Sequence, residues 1–167
     1  SICNASIRLH IFFNSEVDIL KEYGEIIFKG ETVWIDLTKS DTERFNDIRK
    51  NNRTVIKKLE NRKALLCLDN ELNKVDSFIG IYNQNMKYLE AESIYFYNKD
   101  YFYSLTKKLS HVIKHFYIEL EGEYICGGLF SALDEIIQYH LSGTADSARK
   151  ISPTLLMLKG VSNWGNL

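Results

Sequence analysis

Proline is nearly absent from this chain: Pro153 is the one proline among 167 residues. That excludes a proline-rich spacer and makes the position of the single ring informative. Cysteine is scarce and odd in number, and Cys3, Cys67 and Cys126 lie far apart among apolar neighbours. A disulfide framework and a paired-cysteine zinc site are excluded. Free thiols in a reducing compartment are expected, with the cytoplasm as the default location. Long hydrophobic runs are missing too: 125–133, the longest, contains glycine and serine and is too short to span a bilayer. No basic-then-apolar signal segment opens the sequence. Neither charge sign dominates, since 21 Lys and Arg face 22 Asp and Glu for a net −1, which argues against a general nucleic-acid binder. The sequence also lacks a Gly-x-Ser-x-Gly elbow, a Walker loop and a GxGxxG turn. Nucleophilic triads and metal catalysis therefore drop out as leading readings, and no metal is expected.

With 45% hydrophobic and 13% aromatic residues, the chain can bury the core of an ordinary domain. Residues 6–13, "SIRLHIFF", and 25–37, "EIIFKGETVWIDL", read as strands, with a turn at Lys29-Gly30. Ser40 and Glu43 have capping-box spacing, and Phe45, Ile48, Val55, Ile56 and Leu59 recur at helical intervals. These predict one helix of about five turns. A short strand follows at 64–68, then a helix marked by Val75, Phe78, Ile79, Tyr82, Met86 and Leu89. Asn98 is placed to cap a third helix carrying Phe102, Leu105 and Leu109. From His111 the period becomes two, so 111–120, 123–133 and 135–142 read as an antiparallel meander with turns at Glu121-Gly122 and Leu133-Asp134. Ser152 as N-cap and Pro153 at the first helical position open a final helix. The order predicts a central sheet with helices packed on it.

Chemistry is expected at "YHLSGTADSARKISPTLLML", residues 139–158: a strand end, a polar loop and a helix start. First-turn N–H groups have no intrahelical partner and lie at the positive end of the helix dipole, so they suit an anion. Arg149 and Lys150 add positive charge there. An ordinary strand-to-helix connection is the plainer alternative. Between Arg49 and Lys63, seven cations face one acid, Glu60, so this stretch carries +6 in a chain of net −1. Arg49, Arg53 and Lys57 share a helical face that could steer a phosphate-bearing substrate, against the plainer reading of a solvated face. His111 and His115 do not share a metal, because strand residues four apart are too distant. His140, beside Tyr139 at a strand end, is the acid/base candidate, although a lone strand histidine is more often structural.

These stretches together resemble the FemAB-like proteins. "RKNNRTVIKKLE", preceded by "GETVWIDLTKSDTERFNDI", resembles the helix that opens their acyltransferase domain. "VDSFIGIYNQNMKYLEAESIYFYNKDYFYSLTKKL" is similar to their helix pair with an aromatic stretch between. "FYIELEGEYICGGLFSALDEIIQYHLSGTADSARKISPTLLML" looks like their closing hairpins, loop and helix. The resemblance implies a mixed α/β fold of the GNAT N-acyltransferase superfamily: a central, mostly antiparallel sheet with helices on both faces. Residues 1–38 would be a strand-rich arm and 39–167 the acyltransferase domain. It implies transfer of an acetyl or aminoacyl group from a coenzyme A thioester or charged tRNA to an amine of a cell-wall precursor or amino sugar. The donor cradle would be Gly143, Thr144, Arg149, Lys150, Ser152, Pro153 and Thr154. His140 and Tyr139 would handle the proton, and Arg49, Asn52 and Arg53 would serve helix docking or meet an anionic acceptor. Two departures stand out. "ARKISPTL" lacks the glycines of coenzyme-A-binding members, and the chain stops near the last helix where relatives continue with a strand, so one side of the donor cleft would be missing. A non-catalytic interaction or dimerisation module of the same fold, and an RNA-end binder using the basic helix, are the other readings.

Overall fold

The computed structural model describes residues 17–166. The chain divides into two units, Ser1–Ile35 and Asp36–Leu167. The described part of the first holds a single helical turn, α1 (Val17–Leu20), followed by chain in which 25–35 form no strand. The strand expected at 25–37 is therefore not present. Alternation supplies a face but not a ladder partner, and Gly30 at φ +135 interrupts the run with a backbone conformation that L side chains rarely adopt. The strand expected at 6–13 lies outside the described residues.

The second unit follows the sequence pattern closely. Ser40 and Glu43 close the expected capping box at the start of α2 (Asp41–Asp47). Ser40 Oγ accepts from the Glu43 N–H at 3.3 Å, and the Glu43 carboxylate accepts from the Ser40 N–H at 2.9 Å. The single helix expected across 40–63 is broken: Ile48 and Arg49 are extended, with ψ 135 and 139, and α3 (Lys50–Asn61) begins afresh. Asn46 and Asp47 are weak helix formers whose short side chains compete for the backbone. The Arg53 guanidinium donates to the Asn46 carbonyl at 2.5 Å, so an acceptor at the break finds a donor.

Then come β1 (Leu65–Leu68), α4 (Val75–Tyr88), α5 (Lys99–Lys108), β2 (Ile113–Leu120), β3 (Glu123–Leu133), β4 (Ile136–Thr144) and α6 (Thr154–Trp164). Asn98 caps α5 through the Tyr101 N–H at 2.9 Å, as its side chain predicts. The meander turns at Glu121, Gly122 and Asp134, all at positive φ. One antiparallel sheet results, in the order β1-β2-β3-β4.

Alternation along β2 divides the core into two layers. Phe116, Ile118 and Leu120 meet Ile56 and Leu59 of α3 and Leu156, Met157 and Val161 of α6. Ile113 meets Val75, Phe78, Ile79 and Tyr82 of α4 and Phe102 of α5 on the other face. The sheet is thus covered by helices on both faces. On β3, Ile118 pairs with Cys126 while Glu119 pairs with Tyr124, so Ile125 is an extra residue. That bulge lets Ile125 and the next residue, Cys126, join the same α3–α6 layer.

Two close fits seat α4 on the sheet. At Gly143 in β4, an added Cβ would lie 2.8 Å from the Tyr82 nitrogen and 2.9 Å from the Ile81 carbonyl carbon. Strand backbone and helix backbone meet there with no room for a side chain. At the start of α4, Asp69 is buried and accepts the N–H groups of Asn73 at 2.9 Å and Lys74 at 2.8 Å. It also meets His115 Nδ1 at 3.0 Å, and His115 Nε2 lies 3.0 Å from the Tyr124 hydroxyl. The network assigns the tautomer: Nδ1–H donates to Asp69, and Nε2 accepts from the Tyr124 phenol. Burial pushes the Tyr124 pKa up strongly, so the phenol keeps its proton. Burial lowers the His115 pKa, partly offset by the Asp69 hydrogen bond and charge.

Two outcomes follow. Gly143→Ala forces helix and strand apart and should cost about 1–3 kcal/mol in urea unfolding. An unchanged midpoint would show that the backbones can separate freely. The His115 pKa is depressed in the fold, so the unfolded chain binds more protons below about pH 6.5. This residue's contribution to stability is therefore complete above that pH and is lost as pH falls toward the folded pKa, by at most about 1.4 kcal/mol per pH unit. The His115 imidazole resonance should titrate below 6.5; a midpoint above it would contradict the burial argument.

Candidate functional site

β4 carries the first candidate. Leu129 pairs with Leu141 and Phe130 with Tyr139, which leaves His140 as an extra residue in β4. A bulged residue drops out of the ladder and redirects its side chain. β4 is also the last strand in the sheet order, so among the described residues its outer edge has no strand partner. The His140 imidazole reaches α5, where Nε2 lies 3.3 Å from the Tyr101 hydroxyl. Partial burial lowers its pKa, so the ring is a neutral acceptor near pH 7. Tyr139 goes elsewhere: its ring lies 5.2 Å from Phe130, in the α3–α6 layer, and its hydroxyl donates to Ser142 Oγ. The two expected proton handlers thus point to different layers.

The end of β4 carries the second. Residues 146–151 form a 3-10 helix (Asp146–Ile151), so the expected loop is a short ordered turn with Ala148 buried in the core. Ending that turn uses Ser152, which takes a left-handed conformation (φ 48, ψ 57) and donates its N–H to the Arg149 carbonyl at 3.2 Å. Ser152 is therefore not the helix cap. Pro153 takes the N-cap position and Thr154 is the first helical residue. Proline has no N–H, and the Leu155 N–H donates to the Ser152 carbonyl at 3.2 Å. The helix start consequently offers fewer open N–H groups than its sequence predicts.

Side chains fill the gap. Asn85, Tyr88, Thr144, Arg149, Ser152 and Thr154 line an open depression of about 470 Å³. Thr144 and Thr154 join their hydroxyls at 3.2 Å, tying the end of β4 to the start of α6. Cys126 Sγ lies 3.6 Å from Thr154 Oγ1, and burial pushes this thiol's pKa up, which keeps it protonated. Arg149 donates to Asp146 at 2.8 and 2.6 Å and to Asn85 at 2.7 Å, and its guanidinium carbon lies 3.9 Å from the Tyr88 ring centre.

Of the residues expected to cradle a donor, Thr144, Arg149, Ser152 and Thr154 come together in this depression. Lys150 is exposed on the 3-10 turn, Pro153 is buried, and Gly143 is packed under α4. Gly143 thus serves helix–strand packing. Arg49 and Arg53 lie at the start of α3 and, like the half-buried Asn52, line no part of the depression; Arg53 serves the α2–α3 junction. Asn85, Tyr88 and Tyr101 went unnoticed in the sequence. Asn85 and Tyr88 do stand three apart on one helix face, but nothing local says that this face overhangs residues 144–154.

Among the described residues no helix is long and apolar enough to cross a membrane. No family model and no curated protein matches the sequence. Among solved structures, the chain is similar to the one titled "Crystal structure of FemX", with a TM-score of 0.68 over 77% of this chain at 11% identity. The chain spans 48% of that FemX chain. The likeness is one of fold, and with the four-stranded antiparallel sheet between helical layers it gives this protein a FemAB-like, GNAT-type architecture.

Proposed function

We propose that this domain transfers an acyl group, acetyl or aminoacyl, from a coenzyme A thioester or a charged tRNA to an amine of a cell-wall precursor or amino sugar, in the cytoplasm. The observation that carries the reading is the bulge at His140 on an edge strand that ends in a hydroxyl-lined depression. A donor lying along β4 would find backbone groups freed by the bulge near its carbonyl. Its anionic portion would reach Ser152, Thr154 and Lys150. The amine nitrogen attacks the carbonyl carbon and the thiolate or ribose oxygen leaves. The amine's proton passes to the neutral His140 ring and on to the leaving group. For this step the neutral ring carries its proton on Nε2, donated to the Tyr101 oxygen, and Nδ1 is the nitrogen that takes the amine's proton.

One observation favours the other reading, a non-catalytic interaction or dimerisation module of the same fold. The Arg149 charge already faces Asp146, and its guanidinium is further bound by Asn85, so it is not a free anion receptor. Calorimetry with acetyl-coenzyme A and with charged tRNA separates the two. Heat with either donor is expected, and silence with both would leave the module. Given binding, Lys150→Ala should weaken the donor about two- to fivefold, the range of an exposed charge, with the melting temperature unchanged. Arg149→Ala should lower the melting temperature, because it removes the link between the 3-10 turn and α4. His140→Gln should lower kcat by about 100-fold or more while leaving donor affinity intact. A smaller effect would take the proton from His140.

A further inference from the structure

The geometry points to Tyr88, which lines the depression, as a stacking platform for a nucleobase, which on the donor reading is the adenine of an adenosine phosphate. The inference rests on the donor reading above and adds to it the part of the donor that is recognised. Tyr88 is the last residue of α4 and is 65% exposed, which is high for an aromatic ring that is nevertheless held in place. The guanidinium of Arg149 lies against one face, 3.9 Å from the ring centre. That guanidinium is itself fixed by Asp146 and Asn85. With one face on the arginine, the solvent-exposed surface of Tyr88 includes the opposite face.

A rigid, exposed ring gains little for the fold. It presents a flat surface that binds another flat ring with little loss of side-chain freedom. The cation beneath it draws π density away from the outer face and favours an electron-rich heterocycle there. Base–aromatic stacking of this kind is worth about 1–3 kcal/mol and tolerates any base. The choice of adenosine comes from the neighbours and the proposed chemistry. The depression, about 470 Å³, has the size of a nucleotide site and is lined by Ser152 and Thr154 as well as by the ring, with Lys150 close by in the chain. These groups suit the phosphates that follow a stacked base. Both proposed donors end in such a group: coenzyme A carries a phosphorylated adenosine diphosphate, and a charged tRNA presents a terminal adenosine.

The test measures affinity of the full chain for AMP, for coenzyme A, for acetyl-pantetheine, which lacks the nucleotide, and for a short single-stranded RNA with a 3′ adenosine. Binding of coenzyme A or of the RNA is expected, and which of the two binds tighter identifies the source of the adenosine. Tyr88→Ala and Tyr88→Leu should each weaken that ligand by about fivefold or more, while Tyr88→Phe stays within about twofold. Tyr88 is exposed, so the melting temperatures should stay close to that of the parent; a variant that fails to fold hands the decision to the pantetheine comparison. Where coenzyme A is the ligand, equal binding of acetyl-pantetheine overturns the platform, and where either ligand binds, unchanged affinity in Tyr88→Ala does so; both leave the transferase reading standing. If the parent protein binds none of the ligands, both fall together.

Discussion

The seat of α4 on β4 governs the rest of this structure. At Gly143 the two backbones approach so closely that a single methyl group would meet the Ile81–Tyr82 peptide. This fixes where the C-terminal turn of α4 lies relative to the end of β4. Asn85 and Tyr88 then overhang Thr144 and Thr154, and Arg149 can reach up from the 3-10 turn to both. A helix one side chain further from the sheet would leave Arg149 without Asn85, and the depression would lose one wall. The glycine expected to touch a ligand instead shapes the site from beneath.

The start of α4 is held by chemistry of a different kind. Asp69 accepts two N–H groups at the helix start, and through His115 it reaches Tyr124 on the third strand. An added Cβ on Gly127 would sit 1.8 Å from the Tyr124 hydroxyl, so that residue too is small to admit the phenol. A chain of polar groups inside a core is costly unless each has a partner, and here each has one. It carries directional information that Phe78 and Ile79 lack: a greasy helix face can slide along a sheet, whereas two N–H groups aimed at one carboxylate cannot. Apolar burial holds α4 down and this network sets its position along the strands.

What the sequence disclosed and what it withheld divide along a physical line. Elements whose signal is local were legible: the Ser40–Glu43 box, the Asn98 cap, the Glu121-Gly122 turn and the two-residue period of β2 and β3. The break at Ile48-Arg49 was missed because an apolar stripe can continue across a bend, and Asn46 and Asp47 are only weak helix breakers by themselves. The His140 bulge is a property of the β3–β4 register, since no residue is bulged by itself. His115 finds Asp69 across 46 positions, and Arg149 finds Asn85 across 64. Half the candidate site, Thr144 to Thr154, was readable as a strand–turn–helix segment. The other half comes from α4, and no local pattern encodes which loop a helix end will overhang.

The departure at Ser152 bears on how such a site binds at all. A strand that passes directly into a helix offers a row of bare N–H groups, and its preference for anions comes from the backbone. Here a 3-10 turn intervenes, Ser152 ends it in the left-handed region, and Pro153 brings no N–H. The polar groups facing the depression are therefore side chains: the hydroxyls of Thr144, Ser152 and Thr154, the amide of Asn85 and the ring of Tyr88. A backbone cradle measures charge and little else. A lining of this composition would read shape, since its cation, Arg149, is already engaged by Tyr88 and Asp146. An arrangement that uses a guanidinium to orient an aromatic ring favours a flat guest over a merely negative one.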